Sequence, residues 1–344
     1  MKKHRKARLF VLSLLLGTTT LASACGSTAG GASASPDGGG EEVTELRYQG
    51  SVGAVTYPEL AEDLGYLAPL KLKFIGNTIS GPQDIQAAVT GDTDFGGAFN
   101  GAIVKLIAAK APIQAVISYY GVDDLTWTGY YVLDDSPIQS ARDLIGKKIA
   151  VNTLGAHHEF VIKEYLHRSG LTPEEIKQVT LVVVPPVTSE QTLRAEQIDA
   201  AAMGGLLRDK ALERGGIRPL FTDRELFGNF SAGSYVLTDK FIEGNPNAAR
   251  KFVEATAKAI EWARNAPREE VVARYEKIIR ERNRKEDTTA VQYWKSTGIS
   301  GEGGLIEDRE FQTWIDWLVN EGELESGTYR SEELYTNEFN PYQK

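Results

Sequence analysis

Residues 80–97 read SGPQDIQAAVTGDTDFGG and contain the repeating unit from which the fold is predicted. Pro82 favours a helix start, because its missing N–H would have no hydrogen-bond partner in the first turn of a helix. Apolar residues then recur at helical spacing, at Ile85, Ala88 and Val89. Gly91 predicts the end of this helix, and Asp94–Gly97 predicts a short strand. A helix followed directly by a strand is typical of α/β proteins.

Similar patterns extend this alternation in both directions. Strands are predicted at 46–48, 70–75, 113–120, 128–133, 147–152, 180–184, 199–203 and 234–238. Helices or helical turns are predicted at 100–109, 140–145, 157–168, 172–175 and 190–195. Strands that alternate with helices predict a mostly parallel, three-layered α/β fold. The remainder is chiefly helical, with helices predicted at 245–260, 269–281, 288–297 and 309–320.

Two segments of the chain resemble each other weakly. Residues 88–96 and 193–201 both consist of a helix end, an aspartate and a strand of small residues. Two similar α/β halves would place two sets of strand ends opposite each other. Ligands of open α/β sheets bind beyond the carboxyl ends of the strands. The pattern therefore predicts two lobes with a ligand cleft between them.

The composition excludes several classes of protein. The 344 residues are 42% hydrophobic and 25% charged, which excludes global disorder and coiled coils. The formal net charge of −9 argues against nucleic acid as a partner, because phosphate contacts require a basic surface. The single cysteine excludes an internal disulfide and a cysteine-cluster zinc site. The adjacent His157 and His158 would point to different faces of a helix, so no metal site is expected.

The first 24 residues have the pattern of a signal peptide. A basic head at 1–8 precedes an apolar run at 9–16, which is too short to span a bilayer. Ala22-Ser23-Ala24 then precedes Cys25 and resembles the bacterial lipobox, in which that cysteine is lipidated, although Ala22 stands where leucine is usual. An ordinary A-x-A cleavage without a lipid is the alternative. Residues 25–42 are rich in Gly, Ser and Ala, which predicts a flexible tether after the lipidated Cys25.

The order and spacing of many short segments resemble a known family. The matching segments are 80–96, 112–120, 138–152, 155–171, Asp199 and 235–246. The chain resembles the solute-binding proteins of ABC importers for nitrate, sulfonates and taurine, including their thiamine-precursor relatives. The resemblance covers roughly residues 43–263. It implies an α/β fold of the type II periplasmic-binding-protein kind, with two lobes, a hinge and a cleft. Lobe 1 is expected at 43–130 and 234–344, where the last part adds C-terminal helices, and lobe 2 at 131–233.

The ligand is expected at two helix N-termini, where free N–H groups attract anions. One lies at Ser80-Gly81 and the other at Gly155-Ala156-His157. The family often carries a small hydroxyl residue at the position of Ala156, and Thr153 would have to compensate for its loss. Further residues fall on cleft-facing loops or strand ends of the resembled fold. The predicted ligand-binding residues are Ser51, Ser80, Gly81, Phe99, Asn100, Tyr119, Thr153, Gly155, Ala156, His157 and Met203.

The resemblance implies an extracytoplasmic binding lipoprotein of an ABC importer. It would be monomeric, held at the outer face of the plasma membrane or in the periplasm by a lipid on Cys25, and would deliver a small sulfonate-, nitrate- or taurine-like anion to a permease. A ligand-binding sensor lipoprotein is one alternative. An enzyme on the same fold is another, but a desulfinase with this fold uses a cysteine nucleophile, and here the single cysteine is at the lipid position. No G-x-S-x-G, P-loop or H-E-x-x-H motif occurs, and neither catalysis nor a cofactor is expected.

Overall fold

The computed structural model describes residues 42–344. The predicted signal peptide, Cys25 and all but the last residue of the predicted tether lie outside the described residues. Within 42–344, no helix combines the length and the apolar character needed to cross a bilayer.

The described residues contain ten strands and twelve α-helices. The strands are β1 Glu45–Gly50, β2 Lys71–Asn77, β3 Gly96–Phe99, β4 Ile113–Val122, β5 Thr128–Leu133, β6 Lys148–Val151, β7 Thr180–Val183, β8 Ala200–Gly204, β9 Ile217–Thr222 and β10 Phe230–Thr238. The helices are α1 Tyr57–Asp63, α2 Gly81–Thr90, α3 Asn100–Ala108, α4 His157–Arg168, α5 Pro173–Ile176, α6 Pro186–Arg194, α7 Gly205–Arg214, α8 Asp223–Phe227, α9 Asp239–Gly244, α10 Pro246–Asn265, α11 Arg268–Glu281 and α12 Arg309–Asn320.

The strands belong to two lobes, as the fold class predicts. In the first lobe, β1 and β2 pair in parallel, and β10 pairs with β3 on one side and β4 on the other. A backbone hydrogen bond of 2.9 Å from Asp94 N–H to Arg47 O links the two groups of strands. The second lobe is a five-stranded sheet in the order β7-β6-β8-β5-β9. The chain passes between the lobes at 123–127 and at 228–229, and the exact lobe boundaries stay a prediction.

The predicted mostly parallel arrangement is wrong for two strands. β5 is antiparallel to both of its neighbours, β8 and β9. β10 is likewise antiparallel to β3 and β4. A parallel neighbour needs a crossover connection, usually a helix. β5 follows β4 after only five residues and enters the other sheet, so the alternation of strands and helices is broken at the crossing between the lobes.

Each face of the second-lobe sheet has its own core. Alternation along β5 places Tyr130 and Val132 in one cluster and Tyr131 in the other. In the first lobe, α12 packs on the sheet through Trp314, which is 1% exposed. Phe160 from α4 joins this cluster and contacts Phe99 and Trp314. Helix α4, which follows β6, therefore contacts the first-lobe core through Phe160, whereas its residues Val161, Ile162 and Leu166 pack in the second-lobe core.

Sequence patterns predicted most elements but missed several short ones. Helices α1, α7, α8 and α9 and strand β9 were not predicted. The helix predicted at 288–297 is only a 3-10 turn at Thr289–Tyr293. Strand β7 is partly exposed because it lies at the edge of its sheet, although its sequence is continuously apolar.

Candidate ligand-binding site between the lobes

Close packing of α2 on β3 shapes the first-lobe side of the site. A Cβ on Gly96 would lie 2.6 Å from the carbonyl oxygen of Asp84, and a Cβ on Gly81 would lie 2.8 Å from Cα of Ala98. Glycine at these positions lets the first turns of the helix lie directly on the strand. The Gly97 N–H then donates a 2.8 Å hydrogen bond to Oδ2 of Asp84. The first two turns of α2 and the residues of β3 thus reach the site as one rigid unit.

A cavity of about 340 Å³ lies between the lobes at this place. Its first-lobe lining is Gln49, Gly50, Ser51, Thr56, Thr78, Ile79, Ser80, Gly81, Pro82, Asp84, Gly97, Ala98, Phe99, Tyr119, Tyr120 and Tyr235. The second-lobe lining is Thr128, Asn152, Ala156, His157 and His158. The volume is suited to a ligand of one ring or of a few non-hydrogen atoms.

The cavity brings together seven of the residues that the sequence proposed. They are Ser51, Ser80, Gly81, Phe99, Tyr119, Ala156 and His157. Gly155 and Thr153 lie next to the lining rather than in it. The Gly155 N–H already donates to a carboxylate oxygen of Glu159 at 2.8 Å. The Thr153 hydroxyl is within 3.4 Å of the Leu154 carbonyl oxygen, so neither group is directed at the cavity.

Asn100 and Met203 are not brought to the cavity. Asn100 is fully buried at the start of α3, where its Oδ1 accepts a 2.8 Å hydrogen bond from the Ser234 hydroxyl. Its amide nitrogen lies 3.4 Å from the carbonyl oxygens of Ser231 and Glu310. Met203 belongs to the core on one face of the second-lobe sheet. These contacts give both side chains a structural role.

Asp84 is the most consequential residue that the sequence reasoning missed. Its carboxylate is 8% exposed and lines the cavity. Burial raises the pKa of Asp84 to about 7, opposed by the hydrogen bond from Gly97. The second oxygen, Oδ1, is buried without a hydrogen-bond partner. A usable signal was present, because Asp84 and Ala88 are four residues apart and both belong to the buried face of α2.

The second-lobe side presents two neutral histidines. Burial lowers the pKa of His157 to about 3 and that of His158 to about 4, and the proximity of His158 adds to the shift at His157. Nε2 of His157 and Nδ1 of His158 are buried without a partner. Nε2 of His157 lies 3.5 Å from Oδ2 of Asp223, whose pKa burial raises to about 7. Among residues 42–344, no group of three His, Cys, Asp or Glu side chains is placed to hold a metal ion.

Two contacts close the cavity across the lobes. The ring of His157 stacks on Phe99 with centroids 4.9 Å apart. The amide nitrogen of Asn152 lies 3.4 Å from the carbonyl oxygen of Ile79. Both contacts join an element that follows β6 to the first lobe, so any movement of the lobes changes the cavity directly.

Known proteins share this sequence pattern and this fold. A putative binding protein of Brucella abortus is 24% identical over 255 residues, which are 72% of this chain and 75% of that protein. The 4-amino-5-hydroxymethyl-2-methylpyrimidine phosphate synthase of Candida albicans is 29% identical over 220 residues, 61% of this chain and 63% of that protein. The alkanesulfonate-binding protein of Xanthomonas axonopodis pv. citri, solved with MOPS, superposes with a TM-score of 0.65 at 18% identity. That superposition covers 87% of this chain and 100% of the other.

These similarities confirm the family resemblance and the periplasmic-binding-protein fold that the sequence predicted. The pattern of the family described as NMT1/THI5 like matches residues 60–270. The match includes β2 to β10 and therefore the whole second lobe. Because it spans more than half of the sequence, the chain belongs to the NMT1/THI5-like family.

Proposed function

We propose that this chain is the extracytoplasmic solute-binding protein of an ABC importer. It captures a small solute in the cavity between its lobes and delivers it to a permease in the membrane. The observation that carries this proposal is the cavity itself, since both lobes line it and several polar atoms in it have no partner among the described residues. Such atoms are costly to bury unless a ligand or water satisfies them. Relatives named for binding sulfonates and nitrate support the same function.

The N-terminal pattern supplies the location in this proposal. Cleavage after Ala24 and lipidation of Cys25 would hold a monomer at the outer membrane face on the 25–42 tether. A sensor lipoprotein would share every one of these features, and it differs only in the partner to which the loaded protein reports.

An enzyme is the second candidate, because one relative is named as a synthase. Covalent catalysis by a hydroxyl group usually requires a base within hydrogen-bond distance of it. Nε2 of His157 and Nδ1 of His158 accept no hydrogen bond from a side chain. The hydroxyl of Thr56, which lines the cavity, does donate to the Glu59 carboxylate at 3.1 Å, but this pair forms the capping box at the start of α1. The lining therefore favours binding over nucleophilic chemistry.

The small anionic ligand expected from the sequence stays a prediction. The N-terminus of α2 lines the cavity at Ser80 and Gly81. The N-terminus of α4 is less available, because the Glu159 carboxylate accepts the hydrogen bond from Gly155. The proposed capture of a solute does not depend on the sign of its charge.

Calorimetry and uptake together test the proposal. The chain, secreted with its own residues 1–24 and purified, should bind at least one small solute from a broad panel with one-site stoichiometry. Binding should raise the melting temperature with ligand concentration, as linkage requires. Cells that lack the chain should lose uptake of that solute and regain it on complementation. Tight binding without any effect on uptake would instead indicate a sensor, and chemical conversion of the bound solute would indicate an enzyme.

A further inference from the structure

The cavity has one carboxylate in its lining and no cationic side chain. Among its described lining residues, Asp84 is the only acid, and none is lysine or arginine. Oxyanion sites usually rely on charged or converging N–H donors. The lining includes Asp84, whose Oδ1 is buried and has no hydrogen-bond partner among the described residues.

On the premise that the chain is a solute-binding protein, we propose that its ligand presents a nitrogen-bound hydrogen to Oδ1 of Asp84. The ligand class is then amines, amidines and amino-substituted nitrogen heterocycles, neutral or cationic at that group. Simple oxyanions without such a nitrogen are excluded. Asp84 is the specificity-determining residue for this choice.

The hydrogen bond from Gly97 fixes the direction of the free oxygen. Oδ2 accepts the Gly97 N–H at 2.8 Å, so it is Oδ1 that is left for a ligand. Because Gly96 has no Cβ, the helix can lie directly on the strand, which brings Asp84 within hydrogen-bond distance of the Gly97 N–H. A carboxylate held in this position can accept a hydrogen bond from a ligand N–H without a change in its own conformation. This favours ligands that donate hydrogen bonds over ligands that only accept them.

The other lining groups are compatible with a nitrogenous ring or cation. Tyr119, Tyr120, Tyr235 and Phe99 contribute aromatic surface to the cavity. Aromatic faces attract cations and stack on planar rings. His157 and His158 are neutral at neutral pH, because burial lowers the pKa of both. They therefore supply no positive charge that would attract an oxyanion, and the ionised form of Asp84 repels it.

Matched pairs of probes test the proposal by calorimetry on the purified chain. Benzamidine and benzenesulfonate share a ring and differ in the sign of the attached group. Taurine and ethanesulfonate share a sulfonate and differ in the amine. We expect the nitrogen-containing member of at least one pair to bind at least tenfold more tightly than its counterpart. Preference for the counterpart in both pairs, or no binding of either nitrogen-containing probe, overturns the inference.

Asp84→Asn supplies the decisive variant. The amide oxygen would take the Gly97 hydrogen bond, and the amide NH₂ would then face the cavity as a donor. Affinity for the nitrogen-containing probe should fall roughly 10- to 100-fold, the usual weight of a hydrogen bond to a charged group. Asp92→Asn, at an exposed position just after α2, is the matched control and should change nothing. Unchanged affinity in a folded Asp84→Asn chain overturns the inference.

The pH dependence of affinity provides a second readout that needs no variant. The pKa of Asp84 is about 7, so a benzamidine site at this carboxylate strengthens as pH rises from 6 to 8. Tyr119 and Tyr235, which face Asp84, stay neutral because burial raises their pKa values, and both histidines stay neutral as well. Asp223, behind His157, titrates in the same range, and an Asp223→Asn chain separates its contribution. Affinity that weakens over this range overturns the inference.

The binding and uptake experiments can show whether the inferred ligand class fails while the proposed importer function holds. A solute of any chemistry that binds the chain and requires it for uptake supports the importer role. If that solute is a simple oxyanion that binds the wild-type chain, the importer role stands and the assignment to Asp84 fails.

Discussion

The imidazole ring of His157 lies parallel to the phenyl ring of Phe99, with an interplanar angle of 2° and a centroid separation of 4.9 Å. Phe99 ends β3 in the first lobe, and His157 begins α4 after the second-lobe strand β6. The same two rings line the ligand cavity. The stack therefore couples the relative position of the lobes to the shape of the site. Burial lowers the pKa of His157 to about 3, so the stacked imidazole ring is neutral at neutral pH.

Acid should destabilise the protein through His157. Its folded-state pKa is lowered to about 3, so between pH 6.5 and 3 the unfolded chain binds the proton and the folded chain does not. Stability is therefore lost as pH falls through this window. His157→Gln should lose less stability than the wild type between pH 6.5 and 4, by up to about 3 kcal/mol. Urea unfolding at several pH values measures the difference.

His167→Gln is the control for this experiment, because His167 is exposed in the last turn of the same helix. It should leave the pH profile of stability unchanged. The neighbouring carboxyl of Asp223 affects the pH dependence of stability in the opposite direction. Because its pKa is raised in the folded state, its contribution to stability falls as pH rises from about 4 to 7. Equal acid sensitivity of the wild type and His157→Gln would contradict the assignment to His157.

Gly96→Ala should damage both stability and binding. The new Cβ would lie 2.6 Å from the Asp84 carbonyl oxygen, which is backbone and cannot move aside easily. Either α2 or β3 must shift, at a cost of about 1–3 kcal/mol, and the free oxygen of Asp84 is displaced with it. Gly76→Ala is the matched control, because no atom lies within 4 Å of its Cβ position. Thermal unfolding and ligand titration of both variants test this. A Gly96→Ala chain that is as stable as the control and binds equally well would refute the packing argument.

Ligand binding should close the cleft by rotation at the two connections, 123–127 and 228–229. A ligand that contacts both lobes favours the conformation in which both contacts are made. Small-angle X-ray scattering should show a smaller radius of gyration when the chain is saturated. Asn152→Ala removes an amide that reaches the Ile79 carbonyl at 3.4 Å and should weaken binding modestly, by about threefold to tenfold. Identical scattering curves with and without a saturating ligand would argue against hinge closure.

Cys25 should carry the lipid anchor. Mass spectrometry of the N-terminal peptide from native membranes should show a diacylglyceryl group on the Cys25 sulfur, after cleavage behind Ala24. Cys25→Ser should release the protein from the membrane fraction without changing its ligand affinity, because the described residues that line the cavity begin only at Gln49. Unmodified Cys25 on a chain recovered from the soluble fraction would favour the ordinary A-x-A cleavage.

Much of the candidate site was predictable where local chemistry determines it. The start of α2 at Gly81 follows from Pro82, and the helix end follows from Gly91, which adopts the left-handed conformation there with φ of 81°. The strand predicted at 94–97 is observed at Gly96–Phe99, and it was the family resemblance that placed Phe99 at the cleft. The burial of Asn100 away from the cavity could not be predicted, because its side chain forms hydrogen bonds with Ser231, Ser234 and Glu310, which are distant in sequence.

By itself, the sequence determined the α/β class and the helix start that lines the cavity, because caps, glycines and apolar periodicity act over a few residues. The family followed from the order and spacing of many segments, and the two-lobed fold from that resemblance together with the weak internal repeat. Tertiary structure alone decided the antiparallel directions of β5 and β10 and the burial of His157. The helical spacing of Asp84 and Ala88 indicated the buried face of α2, but the packing of the fold decided how much water Asp84 loses there. The loss of water shifts the pKa values of Asp84 and His157. These shifts set the charges in the cavity and therefore the ligand chemistry that it favours.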